Sequence, residues 1–224
     1  MLNQEDLLLL STKLPFWDQL SDSQRERLLA NTKTAHFAKG QALHCGENDC
    51  IGVLLVKSGH IRIYITSEEG REVTLYRLEA GDICILSASC VMQSIDFDVS
   101  VDAEDDCEII QLNSYTFARL LDENVYVELF SYKMATERFS DVMWAMQQIL
   151  FTSFDKRLAA FLLDETAKTG TCELRMTHEQ IAKYLGSARE VVSRMLKYFA
   201  KEGYVTLSRG TITITDKKTL RELL

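Results

Sequence analysis

The chain has little of what would tether, anchor or staple a protein. It holds one proline in 224 residues, so no Pro-rich linker divides it. No apolar run approaches the roughly 20 residues of a membrane span. Residues 7–10 are apolar, but Glu5 and Asp6 precede them, and no basic region or cleavage site marks a signal peptide. The six cysteines are scattered, without the dense spacing of a disulfide-stapled domain. A cytoplasmic, mostly reduced protein with no membrane partner is expected. There is no Gly-rich phosphate loop, HExxH or nucleophile elbow, and the four histidines lie far apart. No enzyme and no catalytic residue is expected. Residues 78–118 contain neither lysine nor arginine.

What is present is ordinary for one large or two small globular domains: 46 % hydrophobic and 26 % charged residues. The charge is unevenly placed. Residues 175–224 hold ten Lys/Arg against five Asp/Glu, whereas residues 1–174 hold 15 against 28. A basic module on an acidic body is the footprint of a local nucleic-acid surface.

Residues 1–33 read as short helices, with Ser21-Asp22-Ser23 as the cap of a segment from Gln24 to Asn31. From about Thr34 the period shortens. Residues 51–56 form a nearly continuous apolar run, fit for a buried strand. Ser58-Gly59 turns the chain, and Ile61, Ile63 and Ile65 alternate with Arg62, Tyr64 and Thr66. Glu68-Glu69-Gly70-Arg71 is a hairpin turn. Val99 and Val101 alternate after Phe97, and residues 109–112 close a series typical of a sandwich or barrel. The acidic run from Asp96 to Glu108 reads as a solvated strand edge and turn.

After Ser114 the chain is helical. Residues 124–150 form one long helix without Gly or Pro, in which Tyr132, Phe139, Met143, Met146 and Leu150 fall near a 3–4 spacing. That is a candidate coiled-coil seam. Residues 151–154 break it as a hinge. Asp155 caps a further helix, which Thr169-Gly170 ends.

The most informative stretch is 176–199. Thr177 with Gln180, and Ser187 with Glu190, each fit the capping-box pattern. Leu185-Gly186-Ser187 lies between them as a tight turn. Val192, Met195, Leu196 and Phe199 make one apolar face; Glu190, Ser193, Arg194 and Lys197, with Arg189 beside them, make a polar one. A helix-turn-helix needs both, one face for a core and one for base edges. Arginine bonds guanine bidentately and glutamate accepts from a cytosine amino group. Residues 204–207 and 211–214 flank Ser208-Arg209-Gly210 as a wing, and Arg209 suits a phosphate. An αα-hairpin docking a protein partner is the alternative.

The run AREVVSRMLKYFAKEGYV followed by SRGTITITD resembles the C-terminal domain of the CRP/FNR family of bacterial transcription regulators. Arg189, Glu190, Ser193 and Arg194 occupy the positions through which that family reads its half-sites. The resemblance implies an α+β architecture: an N-terminal β jelly-roll (cupin-like, double-stranded β-helix) sensor domain over residues 1–122, a dimerisation helix over 123–151, and a winged helix-turn-helix over 152–224. It also implies a homodimer, a pseudo-palindromic duplex site, and RNA polymerase as a further partner.

Five cysteines lie in the sensor half, at Cys45, Cys50, Cys84, Cys90 and Cys107, but the tight spacing of an iron–sulfur set is missing. His44 beside Cys45 hints at a metal or haem ligand and no more. The family's cyclic-AMP branch holds the phosphate with Gly-Glu and Arg-Ser pairs. Here those positions fall on Ile85-Leu86 and near Phe97-Asp98. The pocket reads Cys84, Ile85, Leu86, Ser87, Ala88, Ser89, Cys90: apolar, with small hydroxyls and two thiols. It suits an uncharged ligand, a haem or thiol redox chemistry, and not cyclic AMP.

Overall fold

A computed structural model describes residues 2–45, 51–85 and 99–224. They form two compact units: Met1–Ile65 with Leu75–Val142, and Thr66–Thr74 with Met143–Leu224.

The first unit opens with α1 (Gln4–Lys13), a 3₁₀ turn (Trp17–Gln19) and α2 (Asp22–Ala30). Both α-helices start with reciprocal capping boxes, Asn3 with Asp6 and Ser21 with Gln24. Eight strands follow: β1 (Thr32–Phe37), β2 (Ala42–Cys45), β3 (Val53–Ser58), β4 (Ile61–Thr66), β5 (Glu72–Leu78), β6 (Ile83–Cys84), β7 (Ser100–Ala103) and β8 (Cys107–Leu112). They make two four-stranded sheets, of order β1-β8-β3-β6 and β2-β7-β4-β5. One core lies between the sheets, where Leu54 and Val56 meet Ile61, Ile63 and Val101. The opposite face of β3 and β8 presents Val53, Leu55, Ile110 and Leu112 to a second core. That core is completed by Leu10, Leu28, by Phe117 and Leu120 of α3 (Ser114–Glu123), and by Val127 and Phe130 of α4 (Val125–Phe151). Burial on both faces is why β3 reads as an unbroken apolar run.

The β3–β4 turn needs its glycine. Gly59 has φ +78°, and a Cβ there would lie 2.6 Å from the Asp106 carbonyl oxygen and 2.7 Å from Cys107 Cβ.

Where it is described, the acidic run is only in part the solvated edge and turn expected: Asp106 of the turn is exposed, but three other carboxylates are ion-paired. Arg62 Nε donates to Asp102 at 3.0 Å, Arg77 Nε to Glu104 at 2.8 Å, and Lys57 Nζ to Glu108 at 3.2 Å. Arg62, expected on the outer face of an alternating strand, is buried. Its guanidinium also covers the Tyr64 ring at 4.1 Å. Asp102 and Glu108 lie on strands and Glu104 in the bend between β7 and β8, each paired with a basic residue from another strand, which residue spacing along one segment does not reveal. Asp96 and Asp98 lie outside the described residues.

The second unit contains α5 (Phe154–Thr169), β9 (Glu173–Leu174), α6 (His178–Leu185), α7 (Arg189–Lys201), β10 (Val205–Ser208), β11 (Thr211–Ile214) and α8 (Lys217–Glu222). Its sheet runs β10-β11-β9. Leu158 and Leu162 of α5 pack with Ile181, Val192, Leu196, Phe199, Val205 and Ile212. The cap expected at Asp155 is displaced: Ser153 holds the N-cap position and Asp155 lies in the first turn. There its hydrogen bond from Ser153 holds the Asp155 carboxyl below the usual carboxylate range. Gly170, in the left-handed conformation, ends α5 as expected.

Candidate nucleic-acid interface

Helix α6 is fixed at both ends by local chemistry. The Thr177 hydroxyl accepts from Gln180 N at 3.1 Å, and Gln180 Oε1 accepts from Thr177 N at 2.8 Å. At the other end Gly186 is left-handed, and its N–H bonds back to the Ala182 carbonyl. Ser187 N donates to the same carbonyl at 2.9 Å. Arg157 of α5 adds a third restraint by donating from Nη1 to the Leu185 carbonyl at 2.6 Å.

Ser187 is thereby corrected as a capping residue. Its backbone is drawn into the turn that closes α6, so α7 starts later, with Ala188 at the N-cap position and no side-chain cap. The capping pattern at Ser187 matches in spacing alone.

The α7 surface divides as its sequence requires. Val192, Leu196 and Phe199 are fully buried, while Arg189, Glu190, Arg194 and Lys197 are exposed and Ser193 is half-buried. Arg209 stands exposed at the tip between β10 and β11. A cavity of about 420 Å³ lies between the start of α6, the start of α7 and this wing. Thr177, His178, Glu179, Arg189, Ser208 and Thr211 line it. His178 was not singled out from sequence. Its burial, with Arg189 and Lys197 nearby, holds its imidazole below the ordinary histidine value.

The long helix carries a second feature only partly legible in advance. Tyr132, Phe139, Met143, Met146 and Leu150 are all exposed, at 45–65 %. Val125 and Leu129 are exposed as well, as is Thr136. Positions 125, 129, 132, 136, 139, 143, 146 and 150 alternate strictly by four and three. This is the a/d spacing of a coiled coil, sustained over the whole helix.

In the sensor unit Cys84 and Ile85 are fully buried, one in each core. Leu86, Ser87, Ser89 and Cys90 lie outside the described residues, as does Cys50. Tyr76 sits in the same core as Cys84, its phenol pushed well above the usual value by burial and by the adjacent Cys84. Arg138 of α4 stacks over the Tyr76 ring at 5.0 Å and is held by Asp141 at 2.7 Å. This cation reaches the sensor core from outside residues 78–118, which is why the local count missed it. Burial, then Asp105 and Asp106, push the Cys107 thiol up to about 11, so it stays protonated at neutral pH. His44 is buried, but among the described residues no three His, Cys, Asp or Glu side chains converge on a metal position. No helix of the described residues is long and apolar enough to cross a membrane.

Comparison with known proteins agrees with this geometry in both units. Residues 156–223 match the Crp-like helix-turn-helix domain, and residues 34–124 match the cyclic nucleotide-binding domain. A solved structure from Eubacterium rectale, assigned to the crp/fnr family of transcriptional regulators, is 48 % identical, with TM-score 0.91. The match covers 95 % of this chain and 98 % of that one. The fumarate and nitrate reduction regulatory protein of Yersinia pestis is 28 % identical over 83 % of this chain and 76 % of its own length. The cyclic AMP receptor protein of Thermus thermophilus is 26 % identical over 75 % of this chain and 77 % of its own length.

The two capping patterns make opposite predictions. Thr177→Ala should lower the unfolding free energy of the C-terminal unit by about 1 kcal/mol, whereas Ser187→Ala should change it by less than about 0.5 kcal/mol. Denaturant unfolding of the two variants checks this, and equal losses would restore Ser187 as a cap.

Proposed function

The chain belongs to the CRP/FNR family of transcription regulators, and on that premise we propose that it is a homodimeric, effector-controlled, cytoplasmic regulator reading a pseudo-palindromic duplex site through α7. The observation that carries the proposal is the divided surface of α7, with three side chains locked in the core and Glu190, Ser193, Arg194 and Lys197 turned outward. A helix held rigidly by one face presents the other in fixed register, as groove readout needs. Arg189, Thr177 and Arg209 border the same surface, and their chemistry suits phosphate and base contacts. The basic charge of this region favours DNA over a docked protein partner. RNA polymerase is the expected further partner of a regulator of this family.

Glu190→Ala and Arg194→Ala should each relax base preference at particular half-site positions, by about 1–3 kcal/mol of discrimination. Selection from randomised duplexes is the test. Unchanged preference in both variants would remove α7 from its reading role.

Self-association is supported by the seam on α4. Large apolar side chains at seven of the eight a/d positions, with Thr136 at the other and all of them exposed, leave a stripe that a second copy would cover. Two recognition helices would then address half-sites one helical turn apart. Met143→Glu combined with Met146→Glu should give monomers that bind DNA poorly, since unpaired charges are not accommodated in an apolar seam. Sedimentation showing an intact dimer would place the interface elsewhere.

The effector is an uncharged or apolar ligand, a haem, or a thiol-directed oxidant, and not cyclic AMP held as in the family's cyclic-AMP branch. Cys84 and Ile85 bring no charge to the pocket, and Leu86, Ser87, Ser89 and Cys90 bring none by composition. Arg138, which stacks over the Tyr76 ring, is already paired with Asp141. A cyclic phosphate would have to lose its water without an arginine fork in return. Calorimetry with cyclic AMP should therefore show no binding in the micromolar range. Micromolar binding abolished by substitution of Cys84 would overturn this assignment.

A further inference from the structure

The cavity between α6, α7 and the wing contains a titratable group that the reading helix does not use. His178 is the first residue of α6, half-buried on the cavity wall. The first backbone N–H groups of a helix have no backbone partner within it; at the α6 start the Thr177 hydroxyl takes that of Gln180, which leaves those of His178 and Glu179, with a partial positive charge, for an anion. Two formal cations on α7 add to this. Arg189 lines the same cavity, and Lys197 is close enough to disfavour a proton on His178. From the wing the lining residues are Leu207, Ser208, Gly210, Thr211 and Ile212, none of which titrates. On α6 itself Glu179 lies on the rim with its side chain exposed. The cavity therefore has an anion-attracting floor, and its one group that titrates near neutrality is an imidazole.

We propose that DNA binding by this protein is proton-linked through His178, which takes up a proton when a backbone phosphate enters the cavity beside Arg189. The inference rests on the DNA-binding reading of the C-terminal unit and adds to it a chemical state of one residue. In the free protein, burial and the two α7 cations keep the imidazole neutral at neutral pH. A phosphate reverses the local potential and accepts from the ring N–H, so the bound form favours imidazolium. The proton affinity of His178 is then higher bound than free. Affinity is accordingly flat above the bound-state value, rises as pH falls between the two values, and is flat again below the free-state value. A difference of one pKa unit corresponds to about tenfold in affinity.

The test uses the full chain and a fluorescent random-sequence duplex, titrated from about pH 6 to about pH 8 at several salt concentrations. For the native chain, affinity should rise as pH falls. The steepness of its salt dependence should also increase, by about 0.9 for one more neutralised phosphate. His178→Gln should lose that component, with His36, His44 and His60 still present as the background. His178→Arg, permanently cationic, should bind at high pH as tightly as the native chain does at low pH. Identical pH profiles for the native chain and His178→Gln, with both binding duplex, would overturn the inference and leave the DNA reading intact. A native chain that binds no duplex at any salt would overturn the DNA reading and the inference together.

Discussion

The placement of α7 depends on the burial of Val192, Leu196 and Phe199 against Leu158, Leu162 and the β10–β11 sheet. Each large apolar side chain fully removed from water contributes about 1.5–3 kcal/mol. Together they fix the rotation of the helix about its axis. Rotation is the quantity that matters, because a helix turned by one residue presents a different row of side chains to a groove. The turn before it is equally constrained. Gly186, with φ +58°, has Val73 side-chain atoms 3.3 Å from where a Cβ would stand. The two N–H bonds to the Ala182 carbonyl leave α7 one direction in which to start.

In the sensor unit, electrostatics set a different constraint. The strands carry many carboxylates, and those described at 102, 104 and 108 are matched by Arg62, Arg77 and Lys57. Lys57 also pairs with Asp6 at 2.8 Å, tying the first helix to the sheet. Burial alone would raise the Asp6 carboxyl, yet the Lys57 and Asn3 hydrogen bonds overcome it and hold it below the usual range. Arg62, Arg77 and Lys57 are thus occupied within the protein.

Periodicity made much of this legible. The buried run of β3, the α7 faces, the capping box at Thr177 and the exposed residues of α4 are all visible as spacing, because one element's burial pattern is written along one segment. What escaped depends on contacts between segments. The carboxylates of residues 102–108 look solvated until their partners on other strands are known. Ser187 looks like a cap until the turn claims its backbone. Arg138 lies 20 residues beyond the stretch 78–118 that lacks lysine and arginine. His178 shows no pattern at all, since its setting is assembled by α7 and the wing. Val125, Leu129 and Thr136 could have been found by extending the four–three alternation toward the start of the helix.

Helix α4 carries two surfaces with different demands. Val127, Phe130 and Ser131 are buried on one side, and Arg138 reaches Tyr76 from the same side. Tyr132, Phe139 and the rest of the seam face away. A helix is stiff over such a length, so a shift forced on one face displaces the other by a similar amount. Tyr76 and Cys84 share the core between the sheets, and Val142 of α4 packs against that core. An effector that altered the position of Tyr76 would therefore act on α4 through a ring–guanidinium stack and an apolar contact together. The seam would feel this as a change in helix rotation or register, to which knobs-into-holes packing is sensitive. Only a difference in effector affinity between two such arrangements can shift their populations. Tyr76, Arg138, Asp141 and Val142 are the residues through which α4 and the inner core are joined in this way.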